Sequence, residues 1–420
     1  MKNKIILGVF VFFTALAVTV LLLPADLESV YSENRTPATM MPMTAQNVAS
    51  GEWSANFEDY LGDNLGFRSE LTAASEWIEG HRGIENKEFG KIISTSKDIG
   101  TSIVQKSSLL VLDNTIMEVF IQNREAEQKY IDTINYFAQK LPDMKIYSML
   151  IPTQLEFQEE MYANIGDSQR ETIEYIYSSL DDRVVTVDAY SALGEHRGEY
   201  VYFRTDHHWT ALGAYSGYRA ILAAAGDSEF VEADDFTKNK VEKFTGYLFK
   251  QAQSPELARY PDVIEWYDTN YDGMISVENR SIKNGVTEIY DGMLFDTDKE
   301  NYGLFMSGDQ PLSVITNHRK DSGKTIVIMK DSYSNTFIPW LINNYKRIIL
   351  VDPRTSEENL DDIIAELNPD ELMVMNYIFT TTFEDYCDML KDMPKKNKGD
   401  GAAVFRSRTV LLDFVFLTQL

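Results

Sequence analysis

Residues Lys324–Trp340 read KTIVIMKDSYSNTFIPW, and the parsing of this stretch decides the fold. Thr325 to Met329 is an apolar run too short for a helix, and Lys330-Asp331-Ser332 ends it abruptly. A helix-like pattern follows from Tyr333. A strand that is apolar at every position and feeds a helix directly is half of a βαβ unit, buried on both faces of a parallel sheet. Such a turn displays Ser332 at the carboxyl end of the sheet. Its Oγ then sits near the positive end of a helix, beside free backbone N–H groups. Asp and Ser are also ordinary turn and N-cap residues, so a plain helix cap competes for the same stretch.

Working outward, the same rhythm recurs. Glu125 to Lys140 has helical periodicity and stops at Pro142, and Lys145 to Ile151 is a strand closed by Pro152. Gln169 to Leu180 is helical, Arg183 to Val187 is a strand, and Thr210 caps a helix over Ala211 to Ala225 with Gly226 at its end. After Ser332 come a helix at Tyr333–Asn344, a strand at Arg347–Val351, a helix at Ser356–Leu367 and a strand at Leu372–Met375. The expected fold is a doubly wound α/β sandwich with a parallel sheet. Residues 227–322 break the rhythm. Val263–Tyr267 and Met274–Glu278 flank an Asp272-Gly273 turn, and Leu304–Met306 and Leu312–Ile315 are further β-type runs. They suggest an antiparallel insertion or lid beside the sheet.

With 44% hydrophobic and 12% aromatic residues in 420, the chain has ample material for a core. Its 39 basic and 65 acidic residues, net −26, argue against nucleic acid and anionic membrane surfaces as partners. At the start, Lys2 and Lys4 precede Ile5 to Leu23, which carries no charge and is long enough to span a bilayer. Residues 1–24 therefore read as a membrane anchor, with a cleaved secretory signal as the alternative. Either places the remainder outside the cytoplasm: 25–50 as a linker and 51–420 as the α/β domain. Within it, Phe57, Tyr60 and Leu61 share a helical face, Ser69 to Gly80 is helical, and Asp63 is within reach of Arg68. Val410 to Leu420 suits a last strand or a docking segment. Cys387 is the single cysteine, so the chain holds no internal disulfide.

The chemistry-bearing pattern upstream is Asp206-His207-His208-Trp209. In an extended segment, residues two apart point the same way. Asp206 then orients His208 through Nδ1–H and leaves Nε2 free as a base for Ser332, as in a serine triad. His207, pointing away, reads as structural. An oxyanion hole has candidates in the Ser332 N–H, in Gly308 within the Met306-Ser307-Gly308-Asp309 turn, and in Asn376 at a strand end. Two metal readings fail. Manganese phosphoesterases with an Asp-His-His motif need further Asp clusters and a Gly-rich His motif, which this sequence lacks. A calcium-loop pattern from Asp268 to Gly273 breaks because Asn279, not Glu278, occupies the position of the bidentate ligand.

The strings FEDYLGDNLGFR (57–68), RTDHHWT (204–210), KDSYSNTFIPWL (330–341) and Val351-Asp352-Pro353-Arg354 together resemble the DHHW protein family. That family is similar to the SGNH-hydrolase-like proteins of alginate and cellulose O-acetylation. The resemblance implies an SGNH-type, flavodoxin-like sandwich with Ser332 as nucleophile, His208 as base and Asp206 as its orienter. Arg204 and Asp331, which lie in the matching motifs, and Asp309, which follows Gly308, join Gly308 and Asn376 as oxyanion or substrate-binding candidates. Lys330-Asp331-Ser332 stands where ordinary SGNH enzymes have Gly-Asp-Ser, and Asp309 where relatives tend to have Asn. The expected activity is an extracytoplasmic serine esterase or O-acetyltransferase acting on a polysaccharide, without metal or cofactor. Transfer would require a polytopic membrane partner to deliver the acyl group. The competing expectation is an inactive glycan-binding or scaffold protein of the cell envelope.

Overall fold

The computed structural model describes residues 38–44, 47–48, 52–64, 66, 91–98 and 104–393, with breaks at 113, 159–161, 163–164, 253–256, 269–272, 284–285 and 357. The expected span Ile5–Leu23, most of the 25–50 linker, the Arg68 partner of Asp63, the Ser69–Gly80 helix and the Val410–Leu420 tail lie outside the described residues. Among the described residues no helix is long and apolar enough to cross a membrane.

Helix α1 (Glu52–Asp63) precedes a small antiparallel sheet of β1 (Lys91–Asp98), β2 (Val104–Leu112) and β3 (Thr115–Val119). The alternation expected from sequence begins at α2 (Arg124–Lys140) and runs through β4 (Lys145–Ile151), α3 (Gln169–Ser178), β5 (Val184–Val187), α4 (Ala189–Glu195) and α5 (Ala211–Ala225). The irregular stretch holds β6 (Thr237–Phe244), α6 (Tyr247–Ala252), β7 (Asp262–Asp268), β8 (Ile275–Lys283), β9 (Val286–Gly292) and β10 (Leu312–Asn317). Alternation resumes with β11 (Thr325–Lys330), α7 (Ser334–Leu341), β12 (Arg347–Val351), α8 (Leu360–Leu367), β13 (Glu371–Tyr377) and α9 (Glu384–Lys391).

The main sheet has eight strands in the order β5-β4-β13-β11-β12-β10-β8-β9. Its first five are mutually parallel and its last three antiparallel. Strand period divides the apolar residues between two cores. Along β11, Ile326 and Ile328 join Trp209, Phe337 and Trp340 on one face, while Val327 and Met329 join Phe137, Ile363 and Tyr386 on the other. Helices α4, α5 and α7 cover the first face, and α2, α3, α8 and α9 the second. An unalternating sequence therefore means burial on both sides.

The insertion differs from expectation. Strands β8 to β10 are no lid: they continue the main sheet as its antiparallel edge. Strand β7 pairs with β6, so the turn at Gly273 does not close a hairpin between β7 and β8, and residues 269–272 before it lie outside the described residues. Leu304–Met306 is not a strand. A 3-10 turn spans Tyr302–Leu304, and Phe305 makes only an isolated bridge to Phe295. Pairing partners decide these outcomes, and short apolar runs do not name their partners.

Candidate active site

Strand β11 is central, between β13 and β12, and α7 starts four residues after it ends. Ser332 sits at the turn between them, half-buried. Asp331 shapes that turn: its Oδ1 accepts the Tyr333 N–H at 2.9 Å, and its carbonyl accepts Ser334 N–H at 3.2 Å. The Ser332 carbonyl accepts Asn335 N–H at 3.1 Å. Among the described residues the Ser332 N–H has no acceptor.

Upstream, the segment before α5 closes on itself. Tyr202 and Trp209 form an antiparallel bridge, Phe203 N–H donates to the His208 carbonyl at 3.2 Å, and Thr210 N–H to Val201 at 2.9 Å. Thr210 caps α5 by accepting Gly213 N–H at 3.2 Å, as its sequence position predicts. Within this closed loop Asp206 Oδ1 accepts the backbone N–H of His208 at 3.0 Å and lies 2.5 Å from its ring Nδ1. His208 Nε2 is 2.7 Å from Ser332 Oγ. Asp206, His208 and Ser332 thus form one hydrogen-bonded line. Burial raises the Asp206 carboxyl, but the charges of His208 and His207, with bonds from His208 and the Tyr247 N–H, outweigh it and hold it well below the usual carboxylate range.

The loop is fastened by elements that sequence reasoning did not assign to the site. Asp262, fully buried at the start of β7, accepts from Tyr200 OH at 2.5 Å, Arg204 N–H at 2.9 Å and Thr205 N–H at 2.7 Å. Tyr247 N–H at the start of α6 donates to Asp206 Oδ2 at 2.8 Å. The neighbouring Gly246 is required by space: a Cβ there would lie 2.3 Å from the Asp206 Cβ. Ile116 N–H of β3 donates to the Arg204 carbonyl at 2.8 Å. Trp209 Nε1–H joins the two motifs by donating to the Tyr333 carbonyl at 2.8 Å, and Tyr333 OH donates to the His207 carbonyl. Most of these donors are backbone N–H groups, which leave no mark on sequence, and the burial of the Asp262 carboxylate that gathers three of the bonds is visible only in the fold.

The remaining candidates have other partners. Gly308, at φ +89°, donates its N–H to Phe305 at 2.9 Å, which closes a turn over Met306 and Ser307, both also left-handed. That N–H is therefore spent, contrary to its expected role as an oxyanion donor. Asn376 accepts from Tyr130 OH at 3.1 Å and directs its amide to Tyr386 OH at 2.5 Å and Asp331 Oδ2 at 3.4 Å. It too is a packing group. Asp331 is buried and takes Tyr377 N–H at 2.7 Å; burial raises its carboxyl against these bonds and the nearby cations. Arg204 is clipped to the Pro261 carbonyl at 2.9 Å. Asp309 is 2.5 Å from Lys330 Nζ and 2.8 Å from the Arg354 guanidinium, which also grips Asp352 at 2.5 Å. Burial raises Asp309, yet Lys330 and Arg354 hold its carboxyl far below the ordinary range.

His207 does not point away from the pair: its ring centroid lies 3.9 Å from that of His208, and its Nδ1 3.7 Å from Asp206 Oδ1. Asp206, His207 and His208 offer ligand-type atoms within 4.8 Å of one another. Both His208 nitrogens, however, already face Asp206 and Ser332. The donor set suits proton transfer to and from a hydroxyl better than cation binding.

The family model that matches, over residues 81–351, is described as DHHW protein. Among solved structures, a DHHW family protein from Eubacterium siraeum is similar with a TM-score of 0.58 and 23% identity, over 72% of this chain and 99% of its own. Bacillus cereus PatB1 with a sulfonyl adduct has a TM-score of 0.56 and 19% identity, over 69% of this chain and 99% of its own. Identities this low establish a shared mixed α/β fold. No curated protein matches the sequence.

Proposed function

The chain belongs to the DHHW protein family, and we propose that it is a serine esterase or O-acetyltransferase acting on acetyl esters of a cell-surface or secreted polysaccharide. The observation that carries this reading is the hydrogen-bonded line from Asp206 through His208 to Ser332 Oγ, with contacts of 2.5 Å and 2.7 Å. Ser332 Oγ attacks the acetyl carbonyl while His208 Nε2 takes its proton, and Asp206 stabilises the imidazolium. The free Ser332 N–H, at the turn before α7, is placed to receive the developing oxyanion. His208 returns the proton to the departing sugar oxygen as the ester C–O bond breaks. Water or a second sugar hydroxyl, deprotonated by His208, then attacks the acetyl carbonyl, and as the bond to Ser332 breaks His208 returns that proton to Ser332 Oγ.

The acetyl and glycan parts of the reading rest on the likeness to SGNH-type O-acetylation proteins drawn from the motifs. The extracytoplasmic location, by anchor or by secretion, rests on the Lys2–Leu23 pattern. If the reaction is transfer, a polytopic membrane partner supplies the acyl group. The alternative of an inactive glycan-binding or scaffold protein draws no support from a base and nucleophile already in hydrogen-bond reach.

The test is turnover of p-nitrophenyl acetate, together with covalent labelling by phenylmethylsulfonyl fluoride read by mass spectrometry. Serine chemistry expects one sulfonyl group on Ser332 and loss of turnover on labelling. Equal turnover in wild type and Ser332→Ala would sink the reading. Product analysis with acetylated and deacetylated oligosaccharides separates hydrolysis from transfer.

A further inference from the structure

The His208 imidazole lies between two rings. Tyr302 stacks on it nearly parallel, with centroids 3.7 Å apart and an interplanar angle of 11°, and His207 approaches to 3.9 Å at 35°. Two rings this close cannot share one face, so each covers its own. At the far end of its side chain, Tyr302 donates its hydroxyl to the Ser332 carbonyl at 3.0 Å, and the same hydroxyl lies 3.4 Å from Thr336 Oγ1. One side chain therefore touches both residues of the Nε2–Oγ contact. It is supplied by the irregular stretch, from the 3-10 turn Tyr302–Leu304, whose cap Asn301 accepts Gly303 N–H at 2.8 Å. Phe203 and Phe305 brace the phenol ring at 6.3 Å and 5.7 Å.

We propose that Tyr302 is a positioning residue for the serine chemistry. Its ring holds His208 in line between Asp206 and Ser332 and favours the imidazolium that forms as Oγ loses its proton, while its hydroxyl fixes the nucleophile turn. This rests on the serine reading above. The face of a phenol ring is electron-rich, so a cation stacked on it is stabilised, the more so away from water. Burial, only partly opposed by the Thr336 bond and assisted by the charges of Asp206, Asp309 and Asp331, holds the Tyr302 hydroxyl well above its ordinary value. The ring is therefore a neutral phenol throughout an assay. The other ionisable and polar groups facing the imidazole are Asp206 and His207 on its own loop and Ser332 and Tyr333 on the nucleophile turn. Tyr247 and Tyr377 stand behind His207.

The experiment is kcat/KM for p-nitrophenyl acetate against pH in wild type, Tyr302→Phe and Tyr302→Leu. Phe keeps the stack: the plateau falls by no more than about fivefold, the loss of one hydrogen bond, and the acid limb stays in place. Leu removes the stack: the plateau falls about tenfold or more, mostly in kcat, because the charged base loses support as the proton arrives. Its acid limb also moves to lower pH by about half a unit, because the free base is less easily protonated. An unmoved limb, or a wild-type plateau, in Tyr302→Leu overturns the proposal; slack packing alone would lower kcat without moving the limb. If circular dichroism shows that Tyr302→Leu does not fold, pentafluorophenylalanine at 302 is compared with Tyr302→Phe. It keeps the ring's shape and reverses its face potential, so it must give the same downward displacement, and its absence overturns the proposal. Wild-type turnover in Ser332→Ala would instead remove the serine reading itself, so the two failures are distinguishable.

Discussion

Two groups of buried polar side chains flank the turn at Ser332, and they end differently. Asp206, His208 and Ser332 form an open line, whose last atom is a half-buried hydroxyl. Lys330, Asp309, Asp352 and Arg354 form a closed ring of two cations and two carboxylates, in which each charge meets an opposite one within 3.5 Å. Lys330 Nζ also reaches Asn335 Oδ1 of α7 at 3.2 Å. The open line leaves a proton to move. The closed ring leaves nothing to move, and it ties the Gly308 turn, β11 and α7 together beside the Ser332 turn. Two residues apart on one turn, Ser332 thus belongs to the open line and Lys330 to the closed ring.

The comparison breaks most sharply at Ser332→Ala. Turnover is expected to fall about 10⁴-fold or more while the melting temperature stays near wild type, measured by esterase assay and thermal denaturation. Next comes Asp206→Asn, with a fall of about 10³- to 10⁴-fold, because the amide no longer orients His208 with Nε2 as the acceptor. Wild-type turnover in that variant would detach Asp206 from the line.

The closed ring answers in the other observable. Lys330→Met leaves Arg354 alone against the Asp309 and Asp352 carboxylates, one charge uncompensated, and should cost about 3 kcal/mol in denaturant unfolding. The double variant Lys330→Met/Asp309→Asn should recover most of that loss, since a neutral pair replaces a broken one. A double variant as unstable as the single one would show that the ring's charge balance is irrelevant to the fold.

The smallest effect is with acid. Asp309 and Asp206 both have folded values lowered below the ordinary carboxylate value of about 3.9. Their stabilisation is complete above that value and is lost as the pH falls through it toward the folded values. Asp331, raised by burial, works in the opposite sense and gains as it protonates. Melting temperature should therefore change little from pH 7 to 5 and decline below about pH 4, and less steeply in the double variant, which lacks one of the two carboxylates.

The alternation of elements was legible because buried parallel strands must be apolar at every position: Thr325–Met329, Arg347–Val351 and Leu372–Met375 all lie within observed strands. Asp206, His208 and Ser332 were legible for a similar reason. Asp-x-His is local geometry, and a serine at the carboxyl end of a strand has one predictable exposure. The Gly308 and Asn376 roles failed because residue type does not reveal whether an N–H or amide is already engaged; Phe305, Tyr386 and Asp331 had taken them.

By itself, then, the sequence determined the strand–helix order, the presentation of Ser332 and the local pairing of Asp206 with His208, all of which depend on neighbours along the chain. Only the tertiary structure decided that His208 and Ser332, 124 positions apart, meet at 2.7 Å, that β8 to β10 extend the sheet, and that Asp262, Tyr247 and Tyr302 converge from the irregular stretch on the loop that carries Asp206 and His208. Those contacts are set by strand order and by backbone donors shared among distant segments, and neither is written in the spacing of side chains.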